Sequence, residues 1–465
     1  MKRFIHTIRI FVILLILGSC GKSDFLDKKP RTDIVVANSL SDFNNLLENT
    51  SIIRRTGGLA QMAADDYTIS TFAEWQGLPN NTQRNSYIWN KNIYEGDNEI
   101  LDWNAPYRTV FYANAVLDGL EASADASTSQ GQFLKGWALF VRAYAFYDLV
   151  RNFCMPYDAA TANSDLGIPL RLTSAIEHIE RRSSLQQSFD RVLADLNTAE
   201  PLLPSTRPSA NLNRPSKIAV YALLARIYLD MRNYVQAEAY ADKSLNLYST
   251  LIDYNTISKT SATPFTITHD ELIYRSLQAT MYGEVTGSVA TSSAKIARDL
   301  INSYKTDDLR LPIYYSFDAV TNTYTKKRGY HSTGLYPFTG LATDEVYLIK
   351  AECLARRKET NLAMDWLNLL LIKRFPNTIT KPYIPLAAAS PQEALNLVLL
   401  ERRKELVWRG LRWHDLKRLN KEGVNITLSR TLNEVTYTLP PNDPRWIFPI
   451  PDDEIALSGI EQNLR

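Results

Sequence analysis

Residues 216–248 read SKIAVYALLARIYLDMRNYVQAEAYADKSLNLY, and residues 343–375 read TDEVYLIKAECLARRKETNLAMDWLNLLLIKRF. In the first stretch Tyr221, Leu224, Ala225 and Tyr228 precede a turn at Asn233 and then Ala237. In the second, Tyr347, Ala351 and Leu354 precede Thr360 and Asn361 and then Ala363. The two alanines stand 12 apart in both copies. Two antiparallel helices joined by a short turn approach closely only where a side chain is small, and bulky neighbours fill the remaining gaps.

This is the tetratricopeptide pattern. At least about three such units are needed to bury a continuous core, and four further segments are predicted to supply helices. Trp103, Tyr107, Val110, Phe111, Asn114 and Leu117 recur at the spacing of one helix face. Phe133 to Phe153 is apolar on most sides, as a helix packed between neighbours requires. Gln186 to Ala199 and Pro391 to Asn420 complete the set. The fold class is therefore mainly α: tetratricopeptide-like helix pairs forming a frame (about 41–50, 101–153, 185–249, 341–375 and 390–420), large irregular loop-rich insertions (about 51–100, 250–340, 376–389 and 421–465) and minor β, all in one domain over 41–465. Thr436 to Leu439 reads as a strand. Loops this long inside a compact chain are usually functional.

The whole chain has 465 residues, with 52 Lys and Arg against 50 Asp and Glu. A charge of +2 leaves no electrostatic footprint for nucleic acid. At 45% apolar, with 18 Gly and 21 Pro, the composition is that of a globular protein. Three Cys exclude a disulfide-built scaffold, and five scattered His argue against a metal centre. Cys353 lies in an apolar helical stretch and reads as an inert core thiol, and whether it pairs with Cys154 is open. No cofactor motif is present. There is no Gly-x-Ser-x-Gly elbow, Walker loop, His-Glu-x-x-His or Cys-x-x-Cys. The doublets Asp65-Asp66, Asp307-Asp308 and Asp452-Asp453 are adjacent, whereas the two carboxylates of a glycosidase come from separated elements. His414 beside Asp415 lies in a core-forming pattern and is read as structural. The chain is expected to bind rather than to catalyse.

Lys2, Arg3 and Arg9 precede the apolar run Ile10 to Leu17, and Gly18 and Ser19 lead to Cys20. That is the layout of an export signal over residues 1–19; the apolar run falls short of the roughly 20 residues of a membrane-spanning helix. Leu17-Gly18-Ser19-Cys20 is similar to a bacterial lipobox, which implies lipidation at Cys20 and a lipidated tether over 20–40. Each acyl CH₂ buried in a bilayer contributes about 0.8 kcal/mol, so multiple chains anchor stably. Removing residues 1–19 takes three cations and no acid, leaving a charge of −1.

Five landmarks, in order, are similar to those of the SusD/RagB family of outer-membrane nutrient-binding lipoproteins. They are the lipobox with Asp24-Phe25-Leu26-Asp27-Lys28-Lys29-Pro30; Val141-Arg142-Ala143-Tyr144-Ala145-Phe146-Tyr147-Asp148-Leu149-Val150, leading to Gly167-Ile168-Pro169-Leu170; Arg214-Pro215-Ser216-Lys217; Glu401-Arg402-Arg403-Lys404-Glu405-Leu406, continuing to Arg409-Gly410-Leu411-Arg412-Trp413-His414-Asp415-Leu416; and Phe448-Pro449-Ile450-Pro451 with Gln462-Asn463. Ser458-Gly459 stands where many members have Asn-Pro. In the fourth landmark, Leu395, Val398, Leu399, Leu406, Trp413 and Leu416 are expected to form a buried stripe. Glu401, Arg402, Glu405 and Arg409 are expected to pair along the helix at i+3 and i+4, and Gly410 to admit another backbone.

The resemblance implies a surface lipoprotein of the outer membrane, facing the cell exterior. It would sit as a lid on a SusC-like TonB-dependent transporter, with the helical frame toward the transporter and the insertions toward an oligosaccharide. Peptide uptake of the RagB type, or an envelope scaffold without a small ligand, are the alternatives. The aromatic content fits the first reading: 25 Tyr against 16 Phe, with Tyr282, Tyr314, Tyr315, Tyr324, Tyr330 and Tyr336 in one insertion. Such rings offer apolar faces to sugar C–H groups while amides, acids and guanidinium groups satisfy hydroxyls. The expected ligand residues are Asp66, Trp75, Asn81, Arg84 and Trp89 from the first insertion, with Tyr282, Tyr330 and Tyr336 from the second. Tyr87 and Trp89 alternate as on a strand.

Overall fold

The fold is described from a computed structural model, which covers residues 37–288, 292–330, 332 and 334–465. The export signal, Cys20 and most of the expected tether lie outside these residues. The described chain opens at a capping box, Ser39 accepting from the Asp42 amide while the Asp42 carboxylate accepts from that of Ser39, and this box starts α1 (Leu40–Glu48). Phe43 and Leu47 turn inward. The Phe43 ring sits where a β-carbon at Gly119 would come within 2.5 Å of it, so a glycine is needed there for α1 to lie against α2 (Leu101–Glu121).

Helix α2 buries a wider face than the periodicity suggested. Trp103, Val110, Ala113, Asn114 and Val116 are interior, while Phe111 is 43% exposed because the packed face is centred on Ala113 and Val116. Helix α3 (Ser129–Phe153) begins at a Thr128 cap, four residues earlier than predicted, and is buried along most of its length. Its Arg142 explains the second landmark. The guanidinium donates to both Asp195 oxygens (2.7 and 2.8 Å) on α4 (Leu185–Ala199) and to Asn114 on α2 (2.8 Å), fastening three helices. A buried charge is tolerated only when paired in this way.

The two quoted stretches form α5 (Lys217–Asp230) with α6 (Tyr234–Leu247), and α7 (Thr343–Arg356) with α8 (Thr360–Leu371). Ala225, Ala237, Ala351 and Ala363 are all fully buried. Each turn contains a residue in the left-handed region, Arg232 or Lys358. Helix α6 packs on α7, and α7 on α9 (Pro391–Glu405), so successive pairs share one core. The frame is thus tetratricopeptide-like.

The segment Pro391 to Asn420 is two helices, α9 and α10 (Arg412–Lys421). They are separated by a bend in which Trp408 and Gly410 both take positive φ (63° and 65°). Glycine at 410 therefore serves the turn; the nearest atom to a β-carbon there is 3.8 Å away, so no backbone crowds it. Val398, Leu406, Trp413 and Leu416 are buried as expected, and Leu395 and Leu399 only half so. The charged residues do not pair mainly along the helix. Glu405 meets Arg374 (2.8 Å) and Arg310 (3.0 Å), Glu401 meets Arg310 (2.6 Å), Arg402 meets Asp415 (2.9 Å) and Arg409 meets Asp344 (2.5 Å). His414 is buried, and desolvation holds its imidazole neutral. Cys154 and Cys353 are free, buried thiols.

Strands are short and occur among the described residues as six two-stranded sheets. Strand β1 (Tyr67–Ile69) of the first insertion pairs antiparallel with β2 (Ala294–Ile296) of the second. Strands β3 (Tyr315–Asp318) and β4 (Thr323–Lys326) form a hairpin, as do β5 (Leu428–Leu432) and β6 (Val435–Leu439). The predicted strand at Thr436 lies within β6, and the β5–β6 turn, Asn433-Glu434, has both φ angles positive, as a two-residue hairpin demands.

Candidate ligand surface

Three of the expected ligand residues come together on the first insertion. Thr71 caps the helix Phe72–Gln76 and Asn80 caps the helix Asn81–Tyr87, and the turn between them folds one helix onto the other. Trp75 stacks on Phe72 with ring centres 5.3 Å apart and planes at 24°. Its indole Nε1 donates to the Arg84 carbonyl at 2.9 Å, which fixes the ring's orientation. The Arg84 guanidinium donates to Asn81 Oδ1 and to the Leu78 carbonyl, and Asn81 Nδ2 donates to the Glu95 carbonyl at 3.0 Å. Phe72, Trp75, Asn81 and Arg84 are all half-buried, so each still reaches solvent. Aromatic faces beside an amide and a guanidinium can hold a polyhydroxylated ring.

Next to this ledge, Gln83 Nε2 donates to Glu284 Oε2 at 3.1 Å across the two insertions. Tyr336 is half-buried, with its hydroxyl 3.4 Å from where a Gly283 β-carbon would lie. Burial, and then the negative charge of Glu284, raise that hydroxyl's pKa.

Four expected ligand residues are interior, and their assignment to the surface is corrected. Asp66 is 1% exposed and faces Arg403 at 3.3 Å; burial is the chief force raising its carboxyl pKa. Trp89 is 2% exposed and lies on no strand. It follows the helix ending at Tyr87, has φ 52°, and donates Nε1 to the Ala63 carbonyl at 2.9 Å. Tyr282 is 3% exposed and donates to Asp102 at 2.8 Å. Tyr330 is 5% exposed, donates to Asp344 at 2.8 Å and lies under Arg409, 3.9 Å from ring centre to guanidinium carbon. In each case a polar group found a partner inside, so the side chain could be buried. The Asp65-Asp66 doublet is likewise bound up: burial disfavours the Asp65 anion, but Arg412 and Arg403 outweigh it and hold that carboxyl low.

Sequence reasoning missed Phe317. It is 54% exposed on β3, opposite Tyr324 on β4, with ring centres 4.8 Å apart. The alternation of Tyr315 with Phe317 was the available signal, but it spans too few residues to stand out from the surrounding Ser/Thr/Tyr texture. A cleft of about 330 Å³ between α2, the loop after Pro169 and the helix Asp452–Ser458 contains none of the expected residues. Among the described residues, no helix is long and apolar enough to cross a membrane.

Comparison with known proteins places this architecture. A family profile described as starch-binding associating with outer membrane (SusD-like_3) matches residues 24–229, and the SusD family profile (SusD_RagB) matches residues 312–464. The SusD-like protein P2 of Formosa agariphila is 25% identical over 374 residues, which is 68% of this chain and 71% of that protein. A crystal structure of a SusD superfamily protein from Bacteroides thetaiotaomicron superposes with a TM-score of 0.73 at 21% identity, over 92% of this chain and 100% of that one. A SusD-like carbohydrate binding protein from Bacteroides vulgatus gives 0.66 at 19% identity, over 91% and 97%.

Proposed function

This chain belongs to the SusD/RagB family, and from that membership we propose that it is a surface lipoprotein of the outer membrane that captures oligosaccharides and passes them to a SusC-like TonB-dependent transporter. It binds without cleaving. Cys20 carries the lipid anchor, the helical frame faces the transporter, and the insertions face the ligand. The observation that carries the reading is the Phe72–Trp75 stack, held open to solvent beside Asn81 and Arg84 by hydrogen bonds to its own backbone.

The mechanism follows from that geometry. A ring already fixed by Nε1 loses little rotamer freedom when a sugar covers it, so most of the stacking contributes to affinity. Asn81 and Arg84, held by short local contacts, present their remaining polar edges to hydroxyl groups. Tyr336 and Glu284 extend the same surface to the second insertion.

Affinity electrophoresis in gels containing polysaccharides tests the capture step, with Trp75→Ala as the variant. Retardation of the wild type on at least one glycan, reduced in the variant, is expected. Retardation on none, with retention on a peptide resin instead, selects peptide uptake. Pull-down of a barrel transporter from native membranes tests the delivery step, and mass spectrometry of the mature N-terminus tests acylation of Cys20.

A further inference from the structure

Side chains two apart on a strand share a face, so β3 and β4 present Tyr315, Phe317, Tyr324 and Lys326 together. Exposure falls along this face from Phe317 (54%) to Tyr315 (3%). Lys326 continues inward from the Phe317–Tyr324 pair. Its Nζ donates to Ser288 Oγ at 3.2 Å, lies 6.0 Å from the Trp408 ring centre, and lines a cavity of about 30 Å³ with Tyr330, Phe338, Trp408 and Arg409.

Among the described residues, the charges of Arg409 and Glu405 around this cavity meet opposite charges, whereas Lys327 and Lys326 meet only neutral oxygens. Arg409 is paired with Asp344, and Glu405 with Arg374 and Arg310. Lys327 Nζ donates to the carbonyls of Lys259 and Pro312. Among the described residues no carboxylate pairs with Lys326, and its Nζ has only the neutral Ser288 hydroxyl. Lys326 is half-buried, and a partly desolvated cation without a counter-charge is unfavourable. Burial, and after it the like charge of Arg409, push the amine's pKa down to about 7. The titratable and charged groups facing it are Tyr314, Lys327, Tyr330, Glu405 and Arg409.

We propose that this cavity receives an anionic group of the ligand, a carboxylate or a sulfate ester, with the sugar that bears it against Phe317 and Tyr324, so that acidic oligosaccharides are the preferred class. The volume, about twice what a single water needs, admits a carboxylate or the outer oxygens of a sulfate ester and not a pyranose ring. The turn Gly283–Ser288 meets Tyr336 at one end and Lys326 at the other, so the cavity and the candidate ligand surface border the same turn. This inference rests on the capture reading for its oligosaccharide and on Lys326 alone for its anion.

The test uses the full-length protein with isotope-labelled lysine, the Lys326 resonance being assigned by its loss in Lys326→Gln. Sodium glucuronate and glucose 6-sulfate, but not glucose or sodium chloride at equal ionic strength, are expected to shift that resonance, and the two acids separate carboxylate from sulfate. By calorimetry, an oligogalacturonate or a carrageenan oligosaccharide should bind about tenfold more weakly at pH 8 than at pH 6, as an amine titrating near 7 requires. Lys326→Gln should lose at least tenfold in the same assay, and Lys326→Arg should retain binding. An unmoved resonance with both acids, or undiminished acidic-glycan binding in Lys326→Gln, overturns the proposal. A shifted resonance with no oligosaccharide bound, acidic or neutral, overturns glycan capture and leaves the anion site standing.

Discussion

The guanidinium carbon of Arg430 lies 4.7 Å from the ring centre of Trp89. Tyr87 at 4.0 Å and Tyr67 at 4.9 Å complete an aromatic box around the same cation, whose nitrogens also donate to the carbonyls of Met62, Ala64 and Tyr87. The C-terminal hairpin is thereby locked onto the first insertion. A planar cation both stacks and donates in a fork, which an ammonium group does not. Arg430→Lys is expected to lower stability by about 2 kcal/mol, and Arg430→Ala by more because three carbonyls lose a donor. Urea unfolding checks this; an unchanged midpoint for Arg430→Lys would show that the stacking contributes nothing.

Trp75 and Trp89 should separate cleanly by assay. Trp89→Ala opens a cavity in the box and is expected to cost about 3–5 kcal/mol. Trp75→Ala, at a half-buried site, should cost about 1 kcal/mol while abolishing most glycan retardation. Unfolding midpoints and affinity gels on the two variants give the comparison, and equal loss of stability in both would contradict the placement of Trp75.

The helix pairs make a size prediction. Ala225 is fully buried where α5 meets its partner helix, so Ala225→Leu should destabilise by about 1–3 kcal/mol through overpacking. Ala239 on α6 is exposed, and Ala239→Leu should stay within about 0.5 kcal/mol of wild type. Thermal unfolding of both variants decides whether contact distance, and not composition, selects the small residue.

Asp148 supplies a pH dependence. Burial, opposed by Arg151 and by the Gly57 amide at 2.9 Å, pushes its carboxyl up to about 6. A carboxyl raised on folding gives stability that is present below its unfolded pKa of 3.8 and lost as pH rises toward about 6. Asp148→Asn removes that loss. Its stability relative to wild type should climb by as much as about 3 kcal/mol between pH 4 and pH 7, two pKa units at 1.36 kcal/mol each. Parallel denaturation curves across that range would exclude the raised pKa.

Cys154 and Cys353 are each 1% exposed, and burial raises both thiol pKa values, that of Cys154 to about 11. In a Cys20→Ser variant, neither thiol should react with a disulfide reagent at pH 8 until denaturant is added, when two should titrate. Rapid reaction of either in the native protein would place it at the surface.

The frame was legible in the sequence because its signals are local. An alanine twelve residues from its partner, a Ser or Asn before a helix and an apolar repeat near 3.6 residues act within one or two helices, so Ala225, Ala237, Ala351 and Ala363 could be placed without knowing what lay across from them. The candidate ligand surface was legible only in part. Trp75, Asn81 and Arg84 lie within ten residues of one another and are held by bonds among themselves, so their proximity in sequence carried over into space. Asp66, Trp89, Tyr282 and Tyr330 look the same in a list of residues, yet each meets a partner more than twenty residues away: Arg403, Ala63, Asp102 and Glu271. The charges of the fourth landmark were misread for the same reason, since Arg310, Arg374 and Asp344 reach them from other elements.

By itself, then, the sequence determined the helical frame, the family and the two insertions, because periodicity, small-residue spacing and turn chemistry are properties of neighbouring residues. Only the tertiary structure decided which aromatic and charged side chains reach solvent and which hold the interior. A tyrosine, tryptophan or arginine is equally suited to either place, and its position depends on whether its polar atoms find a partner that the fold brings from far along the chain.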